Sequence, residues 1–263
     1  MAILVQFLLR LSFGMAVGMA VTPSRLVSSG YYRNHLYVTL GLATLAALVA
    51  SQFSMAVAIL AAAAAVLSYV GSVCWLYEAK RAGALMLWLV AGFSLTAALV
   101  GELGTPPQSI SMDSTLAKPS YREAPQGLRA ASVVTSGFLL GVTMASMLLG
   151  HWYLNSPGME LAPLRSLLKL MGVAVVAQML ASGIGLISEL RLIGEPTVSW
   201  LMFVLLRWSF GLLSVAGLIV MAWQTLKIPN TQSATGILYV AVIGVFVGEL
   251  TALLLSAESV YPL

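Results

Sequence analysis

Five charged side chains lie inside long apolar stretches of the sequence. They are Arg10, Glu102, Glu189, Arg207 and Glu249. A charge near the centre of a bilayer costs about 2.5–3.5 kcal/mol on insertion scales, so such side chains face the protein interior or a watery cavity. An arginine there can hold an anionic group or a quinone carbonyl, and a carboxylate can relay protons. The alternative is that these residues form structural ion pairs, or that the arginines extend to lipid headgroups.

The composition predicts the class of protein that contains these charges. The chain has 263 residues, of which 60% are hydrophobic and only 8% are charged, and its mean hydropathy is +0.96. A soluble domain carries about 25% charged residues. The composition therefore excludes an ordinary soluble enzyme, a disordered chain and a nucleic-acid-binding module. It predicts an integral membrane protein in contact with a lipid bilayer.

The apolar segments predict an all-α polytopic bundle of about eight transmembrane helices. Their approximate ranges are 3–21, 36–50, 55–77, 84–103, 131–154, 164–190, 198–226 and 236–256. Transmembrane strands are not expected, because the apolar runs are continuous rather than alternating. Helices 1–4 fill residues 1–103 and helices 5–8 fill residues 131–263 of one membrane domain. That arrangement leaves no room for a soluble domain.

Residues 104–130 are the longest polar connection, and they contain four prolines. An ordered cap or a partner-binding loop is one interpretation. A plain polar crossover between the two four-helix halves is the favoured alternative.

Basic residues predict the orientation of the bundle. We call the face of the N-terminus side A and the opposite face side B. Side B receives Arg25, Arg33, Lys80, Arg81, Arg165, Lys169 and Lys227, whereas side A receives Lys118, Arg122, Arg129 and Arg191. The positive-inside rule then makes side B the cytoplasmic face of a bacterial cytoplasmic membrane, with both termini and residues 104–130 extracytoplasmic. Many aromatic residues, among them Tyr31, Tyr32 and Trp75, are expected in a headgroup belt at side B.

This topology places Arg10, Arg207 and Glu249 in the leaflet of side A, with Glu102 and Glu189 at its margin near the helix ends. Arg10 and Arg207 lie several residues inside helices that enter from side A, and Glu249 lies past the middle of helix 8. The prediction is a polar cavity that is open to side A. Gln178 in helix 6 could join this site, although a helix–helix hydrogen bond is the favoured role.

Two histidines form a separate candidate site at side B. His35 opens predicted helix 2, and His151 lies near the end of helix 5. Two imidazoles from different helices at one depth are what a b-type haem requires, and they could also bracket a quinone headgroup. Two interfacial histidines without a ligand are the favoured alternative. The one cysteine, Cys74, excludes an internal disulfide and a thiolate metal cluster.

Three short segments recur in the sequence. Residues 8–14 and 205–211 match at six of seven positions, and both contain the arginine. Residues 36–38 recur at 238–240, and residues 100–103 recur at 247–250. The echoes suggest a parallel duplication of a two-helix hairpin, with chance similarity of apolar sequences as the favoured alternative.

Three functions remain open. The first is a membrane subunit of a multi-protein electron-transfer or respiratory complex, which anchors membrane or periplasmic partner subunits and lines a quinone or proton site. The second is a small-molecule or ion transporter, and the third is a structural or assembly protein. No phosphate-binding loop, dinucleotide fingerprint, zinc-ligand helix or nucleophile elbow is present in the sequence. The chain is therefore not expected to be catalytic on its own.

Overall fold

The computed structural model describes residues 1–104, 124–156, 158–193, 195–228 and 230–263. Within these residues the chain forms helices and no strand, which confirms the predicted class. The helices are α1 (Ala2–Val21), α2 (Ser29–Ala50), α3 (Met55–Leu76), α4 (Lys80–Leu103), α5 (Gln126–Asn155), α6 (Ala162–Leu190), α7 (Val198–Thr225) and α8 (Thr231–Glu258).

Seven of these helices are long and apolar enough to cross a membrane, and α2 is the exception. Its first turns carry Arg33, Asn34 and His35, which lower its mean hydropathy. The described helices thus indicate an integral membrane protein. Residues 105–123 of the predicted polar connection lie outside the described residues, so the structure does not test the idea of an ordered cap.

Two helices begin earlier than their apolar runs. Helix α2 begins at Ser29 rather than near residue 36, so that His35 lies inside the helix, and α5 begins at Gln126 rather than near residue 131. The first turns of α2 are buried through aromatic rings rather than through a run of aliphatic side chains. The ring of Tyr32 stacks on that of Trp75 with centroids 4.0 Å apart, and the Tyr32 hydroxyl donates to the Thr22 carbonyl at 2.9 Å.

This packing corrects one expectation about the aromatic belt. Tyr31, Tyr32 and Trp75 are at most 1% exposed. They therefore belong to the protein core and do not face headgroups. A tyrosine or tryptophan ring suits the membrane–water interface, but the packing of the neighbouring helices decides whether the ring is exposed there.

The eight helices of the described residues form two four-helix groups. In the first group, α1 packs on α2 and α4, and α3 closes the ring between them. In the second group, α5 packs on α6 and α8, and α7 lies between these two. The groups join mainly where α1 packs against α5, the two most buried of the membrane-length helices. The echo of residues 100–103 at 247–250 fits this arrangement, because α4 and α8 are each the last helix of a group. The other two echoes do not fit it, because they join helices at different positions within the two groups.

Glycines bring α1 and α5 into backbone contact. A Cβ atom added at Gly14 would lie 1.9 Å from the carbonyl oxygen of Gly137, and one added at Gly141 would lie 1.9 Å from the carbonyl carbon of Gly14. Because glycine has no side chain, the two helices can approach this closely. The contact holds the two groups together and places Arg10 of α1 beside α5.

Helix α7 is not a regular α-helix. Its middle, Arg207–Leu213, is a π-helical segment that begins at the buried arginine. The α-helical parts on either side are Val198–Leu206 and Ser214–Thr225. The sequence shows no proline there, so hydropathy alone predicts an uninterrupted helix. π-Helical segments inside α-helices are frequent at functional sites.

Candidate functional site: a charged cavity at side A

One buried carboxylate lies between two buried arginines. Glu249 of α8 is 1% exposed, and its Oε1 lies 3.0 Å from Nη1 of Arg10. Its Oε2 lies 3.5 Å from Nη2 of Arg207, which is also 1% exposed. The structure therefore contains the ion pairs that were the structural alternative for these residues. Both arginines from the echoed segments bind the same carboxylate.

Arg10 connects three helices of the bundle through its guanidinium group. It donates from Nη2 to Glu102 Oε2 of α4 at 3.2 Å and from Nη1 to Ser136 Oγ of α5 at 2.9 Å. Its Nε donates weakly to Gln6 Oε1 at 3.4 Å. Together with the bond to Glu249, these contacts occupy four of the five guanidinium N–H donors. Within the described ranges, one N–H on Nη2 has no hydrogen-bond partner.

A second arginine binds the outer side of Glu102. Arg129, near the start of α5, has its Nε 3.5 Å from Glu102 Oε1 and also donates to the Glu102 backbone carbonyl. Glu102 and Arg129 are 23% and 18% exposed, so this ion pair is more accessible to solvent than the pair at Glu249. The ion pairs thus form a chain from the protein interior toward side A.

These groups line a cavity of about 620 Å³ between the side A ends of the helices. Its polar lining includes Gln6, Arg10, Glu102, Arg129, Ser132 and Glu249. We call it the charged cavity. Its apolar lining comes from α1, α3, α4 and α8 and includes Ile3, Val57, Val100 and Leu253. The volume lies within the range of small-molecule sites, and the arrangement combines apolar walls with a charged floor.

Arg207 is buried behind Glu249 and does not line the charged cavity. Among the described residues, none of its guanidinium nitrogens has a hydrogen-bond partner that meets normal geometry, and the 3.5 Å contact with Glu249 is electrostatic. It packs beside Gly211 and Gly248, whose helices approach closely. The charge of Arg207 is therefore stabilised mainly by one carboxylate, which makes Glu249 critical for keeping this arginine in the interior.

Glu189 does not join this cluster, although the sequence placed it in the same leaflet. Its carboxylate accepts from the backbone N–H of Tyr261 at 2.8 Å and from that of Val260 at 3.3 Å. These residues follow α8, and Val260 lines the charged cavity. Glu189 therefore holds one wall of the cavity in place without facing it.

Replacing Glu189 with alanine is expected to release residues 260–263 from α6. Hydrogen bonds to a charged group contribute about 1.5–3 kcal/mol each, so amide hydrogen exchange at Val260 and Tyr261 should accelerate by about tenfold to a hundredfold. Exchange measured by mass spectrometry on a C-terminal peptide checks this. Glu195→Ala, an exposed glutamate in the α6–α7 connection, is the control and should leave the exchange unchanged.

Gln178 forms one helix–helix hydrogen bond, which was its favoured role, and a second bond within α6. Its Oε1 accepts from the Thr135 hydroxyl of α5, and its Nε2 donates to Ser182 Oγ at 3.3 Å. Thr135 and Ser136 are adjacent in α5, so Gln178 contacts the helix that supplies Ser136 to Arg10.

The two histidines have different environments at side B. His35 is 7% exposed, and its Nδ1 lies 2.6 Å from the Tyr31 carbonyl, which makes Nδ1 the donor and leaves Nε2 with a lone pair. His151 is exposed and shares a hydrogen bond of 3.2 Å between its Nδ1 and the Tyr239 hydroxyl. Within the described ranges, no hydrogen bond or ring contact joins the two histidines. The shared haem or quinone site stays a prediction.

Three residues of the site were missed from the sequence. Gln6 lies one helical turn before Arg10, and its amide donates to the Ala98 carbonyl of α4 at 3.0 Å. Its i, i+4 spacing from Arg10 is the signal that could have identified it. Ser136 and Arg129 had no comparable signal, because their proximity to Arg10 and Glu102 depends on how α5 packs.

Comparison with protein-family models, with curated proteins and with solved structures gives no match for this chain.

Proposed function

We propose that this chain is an integral membrane subunit of a multi-protein electron-transfer complex and that its charged cavity binds a quinone headgroup. The observation that carries the proposal is the combination of apolar walls with a buried Arg10–Glu249 pair at the floor of a 620 Å³ cavity. A quinone has an apolar ring and carbonyl oxygens that accept hydrogen bonds. The remaining N–H of Arg10 is a suitable donor for one of these oxygens.

The same cavity offers a route for protons. Quinone reduction takes up two protons for each pair of electrons, so a quinone site needs ionisable groups nearby. Glu249 at the floor and Glu102 closer to side A are carboxylates joined through Arg10. In this proposal Glu102 exchanges protons with side A, and Arg10 holds the headgroup. The chain supplies the binding site, and a partner subunit supplies the electrons.

A bulky substitution at the mouth of the charged cavity is expected to weaken quinone binding about tenfold or more, because it removes space that the headgroup needs. Ala257 lines the cavity and is exposed, so Ala257→Trp should fold normally. Binding of a short-chain benzoquinone to the purified protein in lipid nanodiscs is measured by ultrafiltration and absorbance. Leu254→Trp is the control, since Leu254 is exposed on α8 but does not line the cavity. Equal affinity in both variants would reject the site.

A transporter is the second candidate function. Two four-helix groups in parallel order, with a charged cavity where they meet and a π-helical segment at Arg207, are features that support it. Purified protein reconstituted alone in liposomes should then accumulate a labelled small anion or cation, whereas a subunit that needs partners should show no uptake. Uptake that is lost in Ala257→Trp and kept in Leu254→Trp would favour the transporter.

A b-type haem between His35 and His151 is a further part of the electron-transfer proposal. His35 has the tautomer in which Nε2 can bind iron. Protein purified from cells supplied with haem should then show a Soret band that disappears in His35→Ala and in His151→Ala. Loss of the band in neither variant, or no band in the unmodified protein, would exclude this site.

The proposed location is a bacterial cytoplasmic membrane with side B in the cytoplasm. The support is the excess of basic residues in the connections at side B. Single cysteines introduced at Ser51 and at Lys80, in a Cys74→Ala background, should react with a membrane-impermeant maleimide from opposite sides of the membrane. Labelling of position 51 from outside and position 80 only after permeabilisation is expected, and the reverse pattern would invert the orientation.

A further inference from the structure

A second cavity, of about 510 Å³, lies at the opposite end of the bundle from the charged cavity. It is formed between the side B ends of α6 and α7. Its lining residues are Ala162, Arg165, Ser166, Lys169, Trp223 and Lys227. We call it the basic pocket. It lies far from Arg10 and Glu249 and plays no part in the function proposed for side A.

The basic pocket concentrates positive charge. Three of its six lining residues are cations, Arg165, Lys169 and Lys227, and none is acidic. In the part of the chain that the structure describes, no carboxylate lies within ion-pair distance of these three groups. Glu160 is the nearest acid in the sequence, and it neither lines the pocket nor forms an ion pair there. Three cations around one concave surface favour an anion in that space.

Two of the cations are already positioned. Arg165 donates from Nη2 to the Leu226 carbonyl at 2.9 Å, which holds its guanidinium over the end of α7. The Nζ of Lys169 lies 5.7 Å from the centroid of the Trp223 ring. Arg165 and Lys169 are one turn apart on the same face of α6. A ligand would therefore lose little affinity to the ordering of these side chains.

We propose that the basic pocket binds the phosphate group of an anionic membrane phospholipid. The pocket lies where α6 begins and α7 ends, at the level at which lipid phosphates meet a membrane-spanning helix. Trp223 has the amphipathic ring that is common at this level. Basic pockets between transmembrane helices at the cytoplasmic face are the kind of site that holds anionic headgroups. Lys227, just beyond α7, extends the pocket toward the headgroup.

The test compares matched double variants in detergent solution by native mass spectrometry. Phosphatidylglycerol is titrated into the unmodified protein, into Lys169→Gln/Lys227→Gln, and into Lys80→Gln/Arg81→Gln. The last variant removes the same charge from side B at the start of α4, which does not line the pocket. Each lysine near an anionic surface is worth about 1 kcal/mol, so the pocket variant should bind the lipid about 30-fold more weakly, and the control should be unchanged.

Two further arms distinguish the source of the phosphate. Phosphatidylcholine should bind the unmodified protein much more weakly than phosphatidylglycerol, and excess inorganic phosphate should not displace the lipid. Displacement by inorganic phosphate would assign the pocket to a soluble ion and overturn the proposal. An equal loss in the two double variants would also overturn it, since attraction would then be general to side B. Lys227 is exposed just beyond α7, so Lys227→Gln alone, with about fivefold weaker lipid binding expected, keeps the test decisive if the double variant fails to fold.

Discussion

Replacing Glu249 with alanine is expected to lower the free energy of unfolding by about 3–5 kcal/mol. The carboxylate binds Arg10 at 3.0 Å and is the ion-pair partner of Arg207 at 3.5 Å. Removing one member of a buried pair leaves an uncompensated charge in the interior, which is the source of the large cost. Here Arg207 loses its ion-pair partner among the described residues, and Arg10 keeps only its pair with Glu102. Equilibrium unfolding in mixed detergent micelles, followed by circular dichroism, measures the change.

Glu258→Ala is the matched control for this prediction. Glu258 ends the same helix, is exposed, and forms no ion pair within the described residues. Its removal should change the unfolding free energy by less than about 0.5 kcal/mol. Glu102→Ala should fall between the two, because Glu102 is 23% exposed and water can replace part of its role. If Glu249→Ala were as stable as the control, Arg207 would not need this carboxylate, and the buried triad would not support the fold.

The second large effect is expected at the contact between α1 and α5. A Cβ atom at Gly141 would lie 1.9 Å from the carbonyl carbon of Gly14 and 2.0 Å from the backbone nitrogen of Met15. Backbone atoms cannot rotate away as a side chain does, so Gly141→Ala must push the helices apart. The expected loss of stability is about 3 kcal/mol, which the same unfolding experiment measures.

The separation should also disturb the charged cavity, because Arg10 of α1 and Ser136 of α5 flank this contact. Gly92→Ala is the control. Gly92 lies in α4 with no atom within 4 Å of an added Cβ. Alanine should stabilise that helix by about 0.5–1 kcal/mol, since glycine is a poor helix former. A stable Gly141→Ala variant would mean that α1 and α5 do not need backbone contact.

The helices themselves could be predicted from the sequence, and the errors have one cause. Hydropathy located the eight helices that the structure describes, of which seven are of membrane length, but it missed the first turns of α2, where Tyr31 and Tyr32 replace aliphatic residues. It also predicted a regular α7, although Arg207–Leu213 is π-helical. A hydropathy run records only how apolar a segment is. The backbone geometry inside the run depends on neighbours such as Gly248, which packs against Gly211.

The candidate site, too, could be predicted from the sequence only in part. Depth along each helix predicted one level for Arg10, Arg207 and Glu249, and in the structure these side chains are in contact. Depth also predicted this level for Glu189, but its carboxylate does not contact the other three side chains in the described structure. Glu189 lies on α6 and binds the backbone of residues 260 and 261 instead. Residues at one level of a bundle can face different neighbours, and rotation about the helix axis determines which.

The sequence by itself determined the helical class, the membrane length of most helices and the level of the intramembrane charges. Each of these follows from local composition, because apolar runs and the cost of a buried charge act on every segment separately. Only the tertiary structure decided that Glu249 lies between two arginines and that Ser136 of α5 binds Arg10. Those contacts depend on the close approach of α1 and α5 at Gly14 and Gly141. That approach is a property of two distant segments together, and neither segment encodes it alone.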